Sequence, residues 1–363
     1  MRPSADMIAS VSQRMERFVE DRLADAGELG ADAVAFTRAA ASTLDGGKRL
    51  RARFCLTGWQ AVANAESGGR NADDDGVIAA AGALEIFHAA ALVHDDIIDN
   101  SDTRRGRPAA HRALERHHTD AGWSGNPATF GRSAAILLGD LLVAWSDDLL
   151  EGGLRDAPHA AAARVEYARM RRDVTLGQYL DIVEEVAAAT VPDADHAERA
   201  LRVATYKSAR YSVQQPLLIG AALAGADAAQ LAALEAFGLP VGLAFQLRDD
   251  VLGVFGDAAV TGKPSGDDLR EGKRTLLIAY AREALPQGAR RAMDELLGDP
   301  DLDDEQVAFL QRTITDSGAL ARVEGLIADY ATAADRALRA VHLDNAAVGS
   351  LRDLARAAVA RAS

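Results

Sequence analysis

Residues 80–93 read AAGALEIFHAAALV, and residues 94–108 continue HDDIIDNSDTRRGRP. An apolar, alanine-rich run that leads straight into three carboxylates is the segment on which the reading of this chain turns. Asp95, Asp96 and Asp99 stand at i, i+1 and i+4, so on a helix Asp95 and Asp99 share one face a turn apart. Like charges at that spacing repel, and anions at a helix C-terminus oppose the macrodipole by about 0.3–1 kcal/mol each. A positive partner is therefore required. An isolated aspartate pair would read as a solvated helix end. The apolar lead-in places these acids at the rim of a buried region, and such violations of local preference mark functional sites.

The same texture extends over the whole chain of 363 residues, which is 48% hydrophobic, 26% charged and only 5% aromatic, with a mean hydropathy of -0.08. Alternating β-branched runs are scarce and helix formers dominate, so the expected fold is all-α. Apolar spacing and breakers predict helices over 5–25, 31–43, 48–65, 76–99, 109–118, 132–151, 158–188, 194–222, 227–255, 273–285, 288–298, 303–316, 318–342 and 345–361. Pro192, Pro240, Pro286 and Pro300 fall near expected helix ends or starts. Polar, glycine-containing stretches at 66–75, 119–131 and 256–272 read as loops, the last long enough to be a lid. Trp145 and Tyr179 read as core residues.

A formal charge of -14 argues against nucleic acid as a partner. The single Cys55 excludes an intrachain disulfide, and the N-terminal stretch lacks the apolar run of a signal peptide, so the expected location is the cytoplasm. No transmembrane segment is expected, because apolar runs such as 79–93 stop short of the ~20 residues a span needs and contain Glu85 and His88.

Two further segments bear on chemistry. FQLRDDVLGVFGD (245–257) sets Asp249 and Asp250 near the end of another apolar helix, with Asp257 further on. DGGKRLRARF (45–54) leads two glycines into a helix rich in cations, with Lys48 and Arg51 three residues apart. Positive charge at a helix N-terminus opposes the dipole unless an anion lies there. The segment matches neither the Walker A nor the GxGxxG pattern. All-oxygen carboxylate sets of this kind suit Mg2+, which keeps several waters and is completed by substrate phosphates. Cations follow both acidic clusters, Arg104 and Arg105 after the first, Lys263 and Lys273 after the second, which implies a phosphorylated substrate. Of 40 basic residues only Lys48, Lys207, Lys263 and Lys273 are lysines.

Together these motifs resemble the trans-prenyltransferases, the isoprenyl diphosphate synthases of the polyprenyl synthetase family, and most of all the bacterial geranylgeranyl diphosphate synthases. The resemblance runs from Gly46 to about Lys273 and rests on GGKRLR, DDIID with its trailing RR, the Lys207-Ser208 pair and FQLRDD, all in family order. It implies a single helical domain over 1–363, with two acidic helices facing a central cavity. It implies Mg2+ bound by Asp95 and Asp99, supported by Asp96, and a further Mg2+ bound by Asp249 with Asp250 beside it. Arg104, Lys207 and Lys263 are then expected to hold an allylic diphosphate (dimethylallyl, geranyl or farnesyl). Lys48, Arg51, His88 and Arg105 are expected to hold isopentenyl diphosphate. Ser208 and Gln246 are expected to stabilise the allylic cation, and Lys273 to close over the site. The family is typically a homodimer. His94 acquires no role, and Gly253 stands where a third aspartate is expected, a shortened motif that other members of the family also carry.

Product length is expected to depend on the helix ahead of Asp95. Ala90 and Ala91 are small where relatives that stop at fifteen carbons often carry an aromatic. Phe87 and Leu84 could form the floor one turn deeper, at about 5.4 Å per turn or roughly one isoprene unit. This favours a C20 product, geranylgeranyl diphosphate, with farnesyl and longer products as alternatives. A terpene cyclase would lack GGKRLR and the second acidic pair. A metal phosphohydrolase, suggested by His94-Asp95 alone, would need further histidines at metal spacing. A non-catalytic synthase subunit is disfavoured by the intact first motif.

Overall fold

Alanine and leucine build helices throughout, as the composition requires. The computed structural model describes residues 4–67, 74–256, 265–339 and 341–359, and these group into two compact units, one of residues 1–162 with 219–225, the other of 163–218 with 226–363.

In the first unit, α1 (Ser4–Gly27), α2 (Ala31–Ser42) and α3 (Leu50–Ser67) precede the acidic helix α4 (Asp75–Ile98). A two-stranded hairpin, β1 (Thr103–Arg104) and β2 (Arg107–Pro108), then leads to α5 (Ala110–Asp120) and α6 (Pro127–Gly153). Helix α4 is buried along most of its length, from Val77 to Val93, and packs chiefly on α6, with further contacts to α1 and α3. Small residues allow the close approach: a Cβ at Gly153 would lie 2.1 Å from that of Ala79, and one at Gly139 would lie 2.2 Å from His94 Nε2. Trp145 belongs to this core as expected, 4% exposed and edge-on to Phe18. Cys55 is also buried, and burial pushes its thiol pKa well up, leaving it an inert side chain.

In the second unit, α7 (Ala160–Ala187, its first turn counted with the first unit) is followed by α8 (His196–Val203), a π-helical segment (Ala204–Gln214) and the start of α9 (Gln215–Leu223), whose residues from 219 on belong to the first unit, then by the long α10 (Ala228–Phe255). The short α11 (Asp267–Arg270) and helices α12 (Leu276–Ala284), α13 (Gln287–Leu296), α14 (Asp304–Asp316), α15 (Ala319–Ala337) and α16 (Asn345–Val359) complete it. The core of this unit runs from Leu247, Val251 and Val254 through Leu276 and Leu277 to Leu310, Val323 and Ile327. Helix α10 starts at a capping box, Asp227 accepting from Gln230 N at 2.8 Å. Near its other end Arg248 forks onto both oxygens of Glu324 at 2.6 and 2.7 Å, tying α10 to α15.

The π segment explains a break that the sequence reading treated as one helix. Pro216 cannot donate to the carbonyl four residues back, and the Gln215 N–H bonds to Arg210 O in the wider register. Glycines make room for the segment: a Cβ at Gly242 would lie 2.4 Å from Ala209 O, one at Gly177 2.3 Å from Lys207 N, and one at Gly238 2.8 Å from Gln214 Cα.

Other expectations need correction. Pro240 lies inside α10 rather than at its end. In the same turn the Gln214 amide donates to Glu235 O at 3.2 Å. Helix α6 begins at Pro127, capped by Asn126, and so takes in part of the loop expected at 119–131. Tyr179 is 63% exposed and is not a core residue. By length and hydropathy α4 and α10 could each cross a membrane, contrary to the reading of 79–93, but their apolar windows are 83% and 50% buried within the protein. Asp257, singled out above, lies outside the described residues.

Candidate active site

In the first unit the acidic motif ends α4 in a Schellman turn. Asn100 takes a φ of 54°, and Ser101 N bonds back to Asp96 O at 2.9 Å. The chain then reverses through the Arg105-Gly106 turn, where both residues have positive φ (53° and 73°), the geometry of a two-residue hairpin. That reversal returns Arg104 toward the acids. Arg104 Nε donates to Asp96 Oδ1 at 2.8 Å, and its Nη2 lies 3.8 Å from Asp95 Oδ2. This is the positive partner that the acidic run demanded. Asp96 is only 2% exposed, and its burial raises its pKa against the lowering effect of Arg104. Its carboxylate is thus committed to anchoring Arg104, while Asp95 and Asp99 are less deeply buried on the neighbouring face.

Arg105 reaches the glycine pair of the third motif. Its Nη1 donates to Asp45 O at 3.1 Å, and a Cβ at Gly47 would meet its guanidinium at 3.1–3.3 Å. The GGKR segment and the RR turn therefore form one constellation. Helix α3 has the anion its basic start required, though it is a protein carboxylate: Ala52 N donates to Glu85 Oε1 at 3.0 Å, and Arg49 Nη1 lies 3.7 Å from Glu85 Oε2. Glu85 is buried on α4, so its role as cap was invisible in the apolar run around it. Burial, reinforced by Arg51, Arg105, Arg104 and Arg49, holds the His88 pKa well below its ordinary value. His88 is neutral at pH 7 and lies among guanidinium groups, with Lys48 exposed on the adjoining loop. His94 is satisfied structurally, 3.2 Å from Ile136 O and 3.4 Å from Asp140.

The chain-length positions divide by exposure. Leu84, Phe87 and Ala90 are buried at 0%, 7% and 1%, whereas Ala91 is half-buried, as are His88 and Asp95. Residues 88, 91 and 95 follow one helical stripe.

In the second unit Asp249 is exposed and Asp250 buried near the end of α10. The Gln246 amide donates to Asp250 Oδ1 at 2.7 Å, so its NH2 serves the acid in this structure. Burial first, then the neighbouring carboxylates of Asp268 and Asp249, push the Asp250 pKa up to about 8. Lys273 Nζ lies 2.6 Å from Glu271 Oε2 and 3.4 Å from Asp268 Oδ1. Lys207, on the π segment beside half-buried Ser208, pairs with Asp181 at 2.5 Å. Glu185 has a raised pKa, from burial and then the charge of Asp181, and feels both Lys207 and Lys273. Lys263 lies outside the described residues.

Sequence reasoning missed Asp181, Glu185, Asp268 and Glu271 here. Asp181 and Glu185 had a signal, since with Gln178 they form an i, i+3, i+7 polar stripe on α7. The donors fit Mg2+ rather than a softer cation, since all of them are carboxylates. Among the described residues no group of three or more His, Cys, Asp or Glu side chains stands placed to hold a metal ion by itself.

A mainly helical chain that sets paired aspartates at helix ends, with guanidinium and ammonium groups beside them, carries the groups that enzymes handling diphosphate esters require. The polyprenyl synthetase family model matches residues 34–314, and the chain belongs to that family. It is a prenyltransferase with trans-prenyl diphosphate synthase activity. Among its relatives, a geranylgeranyl diphosphate synthase of Mycobacterium tuberculosis is 38% identical over 57% of this chain and 53% of its own length. A nonaprenyl diphosphate synthase of the same organism is 30% identical over 88% of this chain and 84% of its own. The crystal structure of a Corynebacterium glutamicum geranylgeranyl pyrophosphate synthase, complexed with isoprenyl diphosphate and magnesium, superposes with a TM-score of 0.92. It is 35% identical, covering 99% of this chain and all of that one.

Proposed function

We propose that the chain is a single catalytic domain that condenses isopentenyl diphosphate with an allylic diphosphate, with Mg2+, to give geranylgeranyl diphosphate. The observation that carries the reading is the hairpin 103–108, which sets Arg104 on the carboxylates of α4 and Arg105 on the Gly46-Gly47 loop. One turn thereby links a cation-binding edge to an anion-binding one.

Asp95 and Asp99 would hold Mg2+ for the allylic diphosphate, Asp96 supporting them by fixing Arg104, and Asp249 with Asp250 beside it would hold a further Mg2+. When bound, the ion screens diphosphate charge and makes it a better leaving group. Arg104, Lys207 and Lys263 bind the allylic diphosphate, and Lys273 closes over it. Lys48, Arg51, Arg105 and neutral His88 bind the diphosphate of isopentenyl diphosphate. The allylic C–O bond breaks with its electron pair leaving on pyrophosphate. The alkene of isopentenyl diphosphate supplies the electrons of the new C–C bond, and loss of a proton to the departing pyrophosphate restores a double bond. Ser208 and Gln246 face the developing cation with oxygen dipoles.

The C20 assignment is supported by small Ala91 on the partly exposed stripe and by buried Phe87 and Leu84 deeper on α4. Geranylgeranyl diphosphate synthases are among its relatives, beside farnesyl and nonaprenyl ones. We further propose a cytoplasmic homodimer. Leu176, Tyr179 and Val186 on α7 are 60%, 63% and 77% exposed, an apolar face that a second copy would cover. Incubation with isopentenyl diphosphate, each allylic primer and Mg2+, with chain-length analysis of the product, tests the reading; a product of fifteen or of many more carbons refutes the C20 assignment.

A further inference from the structure

The π segment carries Lys207 and Ser208, and its 11 residues far exceed the single-turn bulge in which this register usually occurs. Pro216 acts at its C-terminal end, where an α register would need an N–H for Ser212 O. Gly177 of α7 and Gly242 of α10 give the segment room at Lys207 N and Ala209 O, but a bare glycine offers space without a grip. Neither feature fixes how the segment is turned about its axis. That turn decides where Lys207 and Ser208 point.

Two ion pairs to α7 fix it. Lys207 Nζ lies 2.5 Å from Asp181 Oδ2, and Arg210 Nη1 donates to Asp173 Oδ2 at 3.0 Å. From Asp173 to Asp181 is about 12 Å along an α-helix, whereas residues 207 and 210 are separated by no more than about 4.5 Å of rise. The two side chains therefore reach in opposite directions along α7, with Gly177 midway between their anchors in the sequence. The Arg210 guanidinium also lies over the Tyr206 ring, 4.6 Å from its centroid, which orients its plane. At 26% and 18% exposure, Arg210 and Asp173 are withdrawn from the solvent that makes surface pairs weak.

We infer that Arg210 and Asp173 are positioning residues for the allylic diphosphate: their ion pair is the brace that turns the π segment so that Lys207 and Ser208 face the substrate. This rests on the reading of Lys207 as a contact of that diphosphate. When the diphosphate draws Lys207 off Asp181, the Arg210–Asp173 pair is the one that stays, and the segment keeps its aim as substrate binds.

The experiment is steady-state kinetics of the full chain with Mg2+, isopentenyl diphosphate and farnesyl diphosphate, on Arg210→Gln, Asp173→Ala, the two combined, and Lys207→Ala. Each of the first two is expected to raise KM for farnesyl diphosphate by about tenfold, the worth of one displaced charged hydrogen bond, and to leave KM for isopentenyl diphosphate within about twofold. Charge alone predicts the opposite sign for Asp173→Ala, since removing an anion near a diphosphate site tightens binding. The combined variant is expected to stay within about twofold of either single one, because all three lose the same interaction. A KM for farnesyl diphosphate that is unmoved or lowered in Asp173→Ala overturns the inference. So does a combined variant in which the two effects multiply, or an equal rise in both KM values, the mark of a merely structural loss. An unmoved KM for farnesyl diphosphate in Lys207→Ala would instead overturn the assignment of Lys207 itself.

Discussion

Replacing Asp250 by Asn removes a proton from the stability balance of the second unit. The carboxyl is buried and its pKa stands at about 8 in the fold, against an ordinary value of 3.8, because burial and the charges of Asp268 and Asp249 disfavour ionisation. Between those two values the folded protein holds a proton that the unfolded chain has released. The stability due to this group is thus fully present below about pH 4, declines as pH rises, and is gone above about pH 8. At about 1.4 kcal/mol per unit the shift sets an upper bound of about 6 kcal/mol. Because three interacting carboxyls share the titration, we expect about 2–3 kcal/mol of that bound to be realised. Asp250→Asn cannot ionise, and its amide oxygen still accepts from Gln246. In urea denaturation with a chelator present, the variant is expected to gain over the unaltered protein by about 2–3 kcal/mol at about pH 8.5, with the gain shrinking toward about pH 5. A difference between the two proteins that stays constant across pH would refute the reasoning. Addition of Mg2+ and pyrophosphate is expected to release a proton from the unaltered protein and not from the variant.

Glu85→Ala strands the Ala52 N–H and deprives Arg49 of a buried anion. It should cost about 2–4 kcal/mol in urea denaturation and raise KM for isopentenyl diphosphate, whereas Glu85→Gln, which keeps an acceptor, should cost less. Asp95→Ala should preserve the circular dichroism spectrum and lower turnover by at least about 100-fold, and near-normal turnover would remove it from the metal site. Ala91→Phe should shorten the product with the fold intact; Ala90→Phe should shorten it too, but at about 1–3 kcal/mol of stability because residue 90 is buried.

Helices and acidic motifs were legible because their signals are local: apolar spacing for α4 and α10, and the i, i+4 carboxylates at the end of the first. What stayed hidden depends on contacts remote in sequence. Glu85 looked like an interruption of an apolar run, yet it caps a helix 33 residues away. Arg104 and Arg105 were legible as cations, but the direction each takes is set by a hairpin whose strands are two residues long, below any periodic signal. The π register follows from Pro216 together with the glycines packed around it, and helix propensity alone does not separate it from an α-helix. Gly253 was visible as a departure from the motif. Only the fold shows that the Asp268 carboxylate fills the space a side chain there would take.

The glycines around the π segment also bear on how this enzyme could be made sturdier. Exchanging helix glycines for alanine ordinarily stabilises by about 0.4–1 kcal/mol through the unfolded chain. At Gly177, Gly238 and Gly242 that remedy is closed, since the new methyl would strike backbone atoms at 2.3–2.8 Å. At Gly288, Gly325 and Gly349, where nothing stands within 4 Å of the added carbon, it is open. Thermal hardening of this chain by glycine exchange should thus be sought at such open helix positions, Gly152 of α6 among them, leaving the lysine-bearing segment as soft or as rigid as its glycines have made it.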